Sequence, residues 1–64
     1  MTLANIISII GATNRIYIQT KTSLLFRGFC QDIRAKEESR MLLDKTVIKI
    51  QAIDFELFMI TIED

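Results

Sequence analysis

The chain reads as an α+β fold. It is one small domain over residues 1–64, in the order α-β-β-α-β-β, with a four-stranded antiparallel sheet and short helices against one face. Three observations predict it. Apolar residues near the start recur at helical spacing. Four later stretches carry strand patterning. A polar, charged run over residues 36–40 separates the second of those stretches from the third.

The first element is a short helix over residues 2–10. Thr2 is a good N-cap, Leu3, Ile6, Ile7 and Ile10 fall at i, i+3, i+4 and i+7, and Gly11 sits where a C′ glycine would. The isoleucines also suit a buried strand, but the spacing favours the helix. Residues 12–14 make a turn. Residues 15–20 then alternate, with Ile16 and Ile18 on one face and Arg15, Tyr17 and Gln19 on the other. Lys21 and Thr22 form a tight connection, and residues 23–29 return as the hairpin partner. Gly28, near the end of that strand, predicts a bulge or a close backbone approach. Residues 30–34 are irregular, and residues 36–43 give one or two helical turns. Residues 46–53 form the third strand, with Ile48, Ile50 and Ala52 on one face. Asp54 begins a turn, and residues 55–62 form the last strand. Phe58, Ile60 and Ile62 take one of its faces, and Phe55, Leu57 and Met59 the other.

Composition narrows the function. Half the residues are apolar, a quarter are charged, and His, Pro and Trp are absent. A domain of this size buries only about 60% of its unfolded surface and needs extra support. A lone Cys30 cannot make an intramolecular disulfide, and one Cys without His is unlike a structural zinc site. A dense core, an oligomer or both must supply the support. Eight basic residues balance eight acidic ones, which argues against nucleic acid or anionic membrane as the main partner. The longest apolar run is far short of the ~20 residues of a membrane span. No signal peptide is read at the start, and with no paired Cys the expected location is the cytoplasm.

Chemistry is sparse. No His is present to carry protons, and Asp32, Glu37 and Glu38 fit a solvated face. Cys30 has no imidazole to activate it and reads as structural. Gly11 and Gly28 are too far apart for a phosphate-binding loop. A domain this small also leaves little room for a pocket of several hundred Å³ within one subunit. No enzyme, cofactor or metal site is expected.

The remaining signal is surplus apolar surface. A sheet covered on one side should be polar on the other, yet Phe55, Leu57 and Met59, with Leu25 and Phe29, crowd the far side. These five residues are the expected interface of a homo-oligomer or of a complex with another protein. The alternative is a nucleic-acid platform of Arg15, Tyr17, Lys21 and Arg27, basic residues interleaved with an aromatic. A third option is an oligomer holding a small ligand between subunits.

Three segments carry a resemblance: Leu25-Phe26-Arg27-Gly28, the run from Leu42 through Val47-Ile48-Lys49-Ile50, and Phe55 to Ile62. With them the chain resembles a loose group of small uncharacterised proteins from phages and mobile elements of Gram-positive bacteria. These share a short helix, a hairpin ending near a Gly, a helical turn, a V-x-x-I strand and an L-x-I-x-I strand. The last strand here is offset from that pattern by one residue. The resemblance implies no chemistry. It implies a phage or mobile-element accessory protein that binds and inhibits a host protein or defence system.

Overall fold

The computed structural model, which describes residues 1–63, contains the two expected hairpins but joins them differently. Helix α1 (Leu3–Ile9) leads into strands β1 (Arg15–Gln19) and β2 (Leu24–Phe29). A 3-10 turn (Cys30–Arg34), helix α2 (Glu37–Arg40) and a second 3-10 turn (Met41–Asp44) follow. Strands β3 (Val47–Asp54) and β4 (Leu57–Ile62) complete the chain. The strands lie in the order β2-β1-β4-β3. Each hairpin is antiparallel, but β1 and β4 pair in parallel, Arg15 with Leu57 through Gln19 with Thr61. The sheet is therefore mixed, which corrects the all-antiparallel expectation. The physical reason is burial. β1 and β4 carry the fully buried Ile16, Ile18, Ile60 and Ile62, and central strands are where such side chains are best covered. β2 and β3 contribute no fully buried residue and take the edges.

One face of the sheet is the inner face. Leu3, Ile6 and Ile7 of α1 pack there with Ile33, Cys30 and the four buried isoleucines of β1 and β4. α1 starts at Thr2, whose N–H and hydroxyl both donate to Asn5 Oδ1, at 3.0 and 2.9 Å. It ends one residue before expected. Ile10 is already extended and Gly11 does not adopt a positive φ, so no left-handed glycine cap forms. The expected helix over residues 36–43 is one α-turn followed by a 3-10 turn. Ser39 ties it down: its hydroxyl donates to Ile33 O at 2.6 Å and to Lys36 O at 3.1 Å.

The bulges also differ from expectation. Gly28 pairs regularly with Ile16, and Phe26 Cζ lies 3.5 Å from where a Cβ on Gly28 would stand. The irregularity falls instead at Leu25, where β2 leaves the turn closed by Thr20 N–H donating to Ser23 O at 2.8 Å. β3 carries two register shifts, at Ile48 and at Ile53. Val47 therefore takes the place across from Ile62 that would keep Ile48 in line with Ile50 and Ala52. Asp54 is the last residue of β3, and Phe55 and Glu56 form the turn, so Phe55 lies outside β4. Asp54 Oδ1 accepts from Phe55 N–H at 2.7 Å, and this bond fixes the turn after the strand's last residue.

Candidate interaction surface

Successive side chains alternate across a strand, so the register assigns the outer face. It holds Arg15, Tyr17 and Gln19 of β1, Arg27 and Phe29 of β2, Leu57, Met59 and Thr61 of β4, and Lys49, Gln51 and Asp54 of β3. Helix α1 lies on the opposite side with the buried isoleucines, where Ile33, Leu42 and Leu43 of the two 3-10 turns join it. Tyr17, Leu57 and Met59 are half-buried between neighbouring side chains. Gln19 Nε2 donates to Thr61 Oγ1 at 3.2 Å across the parallel seam.

Of the five expected interface residues, the fold gathers Leu57, Met59 and Phe29 on this face, with Arg15 between Phe29 and Leu57. Leu25 sits in the β2 bulge and lines a cleft on the helical side. Phe55 stands in the turn, 91% exposed. Among the four basic and aromatic residues, Tyr17 faces Arg27 and Arg15 faces Phe29, whereas Lys21 lies in the hairpin turn, off the strands.

β3 adds exposed surface that its alternating pattern alone does not reveal. Ile48, Ile50 and Ile53 stand 44–50% exposed. Ile50 pairs with Ile60 and is on the inner face, so the helices' cover thins out before it reaches this edge. Two helices of seven and four residues cannot roof an eight-residue edge strand, and those lengths were the available signal. Six of the exposed large apolar residues now lie on the two edge strands: Leu24, Leu25, Phe29, Ile48, Ile50 and Ile53.

The cleft between β2 and α2 measures about 350 Å³ and is lined by Leu25, Phe26, Arg27, Lys36, Glu38, Ser39 and Leu42. It is a half-open cleft at the surface rather than an enclosed pocket. Its one hydroxyl, on Ser39, is already engaged by backbone carbonyls. Cys30 is buried, with Sγ directed at Ile7 O and Ile10 O at 3.8 and 3.9 Å. Burial pushes its thiol pKa up, and Arg34 pulls it partly back. A buried thiol held protonated is a poor nucleophile. Among the described residues no group of three or more His, Cys, Asp or Glu converges on a metal-sized site, and no helix is long and apolar enough to cross a membrane.

Comparison of the chain with protein-family models, with curated proteins and with solved structures yields no significant match.

Proposed function

We propose that the chain is a non-enzymatic interaction protein that works through its incompletely covered sheet, by binding another protein, by self-association, or by both. The observation that carries this reading is the concentration of exposed apolar side chains on the two edge strands. Clusters of exposed apolar side chains mark interaction sites, and open strand edges offer backbone donors and acceptors to a partner. The buried, protonated Cys30 and the absence of His fit a role without catalysis. A cytoplasmic setting fits the lone free thiol. The more specific role, a phage or mobile-element accessory that inhibits a host protein or defence system, rests on the resemblance of residues 25–28, 42–50 and 55–62 alone. Sedimentation velocity from micromolar concentrations upward, with affinity capture from a host lysate, tests the reading. A species heavier than the 7.4 kDa monomer, or a stoichiometric captured protein, supports it. A monomer at every concentration with nothing captured overturns it.

A second reading has one observation in its favour. Tyr17 and Arg27 are cross-strand neighbours on the outer face, with Arg15 on the next rung of that face, an arrangement suited to stacking a base beside phosphate contacts. The zero net charge opposes it. A mobility shift with single-stranded oligonucleotides at low salt decides: binding abolished by Arg27→Glu supports this reading, and no shift removes it.

A further inference from the structure

We propose that the partner of this surface is a second copy of the chain, joined edge to edge along β3 so that the two sheets continue as one across a two-fold axis at Gln51. The proposal rests on the interaction reading above and names its partner.

The edge of β3 already accepts a strand. Thr2 faces Thr46 in antiparallel fashion, Val47 N–H donates to Met1 O at 2.8 Å and Leu3 N–H donates to Lys45 O at 2.9 Å. This pairing covers only the start of the edge. From Ile48 to Asp54 β3 has β4 on one side and no strand on the other, among the described residues. Charged residues and bulges ordinarily blunt such an edge, and β3 has both. Here the same devices make it self-complementary. The shift at Ile53 places Asp54 on the outer face with Lys49 and Gln51, so the opposite charges flank Gln51 on one side of the sheet.

An antiparallel pairing of identical strands is symmetric only about a residue that faces itself. With Gln51 in that place, Lys49 of each copy falls beside Asp54 of the other, twice over. On the inner face Ile50 of each copy meets Ala52 of the other, and Ile48 and Ile53 stand at the two register shifts that flank this stretch. The isoleucines are the exposed large apolar residues of β3. The other edge does not offer this match. β2 has Arg27 as its one charged residue, so self-pairing there supplies no acid to meet it.

The test uses the chain with nothing added ahead of Met1, because residues there would run on along the same edge. In a Cys30→Ala background, Gln51→Cys places a thiol opposite its own copy, within the Cα separation that a disulfide spans. Mild oxidation is expected to give a covalent dimer from Gln51→Cys and none from Met59→Cys, one strand further in on the same face. Lys49→Asp should weaken dimerisation several-fold in sedimentation, and adding Asp54→Lys to that chain should restore it, with circular dichroism confirming the fold in each. A dimer that cross-links through Phe29→Cys but not Gln51→Cys overturns the β3 proposal and leaves the interaction reading standing. A chain that stays monomeric yet captures a host protein does the same. A monomer that captures nothing overturns both.

Discussion

Isoleucine is the commonest apolar residue here, and its positions separate core from surface by one strand's width. Ile60 and Ile50 are direct cross-strand partners on the inner face, yet Ile60 is 0% exposed and Ile50 44%. Ile60→Ala should cost about 2–5 kcal/mol. That is a large share of the roughly 3–10 kcal/mol expected for a domain of this size. Ile50→Lys should cost less than about 1 kcal/mol, within the range of surface changes, while weakening any association along β3. Urea midpoints by circular dichroism compare the two, and equal losses would place Ile50 in the core. Cys30 adds a pH signature. Its thiol keeps its proton in the folded chain above the usual value of 9.0, whereas the unfolded chain gives its proton up near that value. The folded state's advantage is whole below about pH 9 and shrinks as pH rises from there through the folded pKa. Cys30→Ala should flatten that decline in urea midpoints measured between about pH 8 and pH 10.5, and an unchanged slope would assign it to other groups.

At the scale of elements, strand identity was legible because alternation is local: Ile16 and Ile18 on β1, and Ile60 and Ile62 on β4, are buried as their spacing demands. Pairing was not legible. The parallel match of Tyr17 with Met59 depends on which strands bury most, a property of the assembled sheet. Nor were the shifts at Ile48 and Ile53, which turn on hydrogen bonding along a ladder. The candidate surface was legible in part. Leu57, Met59 and Phe29 share a face by alternation alone, but the exposure of β3 required knowing that the helices stop short of it. α1 illustrates how much small elements lean on their ends. Seven residues are too few for an autonomous helix. The two bonds from Thr2 to Asn5 Oδ1 fix its first turn, so Asn5→Ala should lower stability by about 1 kcal/mol, read as a fall in thermal midpoint.

For the whole molecule, self-association would make stability depend on concentration. If a second copy binds only the folded chain, the thermal midpoint should climb with protein concentration, and Lys49→Asp should suppress the climb. A midpoint constant over a hundredfold range of about 1–100 μM would argue against a dimer of useful strength. The parallel seam has a different consequence, in time rather than in strength. Each hairpin closes over a few residues, but β1 must wait for a strand more than forty positions later, since Ile18 meets Ile60. Pairings of such long sequence separation form late and slowly. During synthesis the first hairpin therefore stands with Ile16 and Ile18 unroofed on one flank until residue 62 has been made. In that interval a chaperone or a neighbouring nascent copy would find β1, not β3, as the sticky strand.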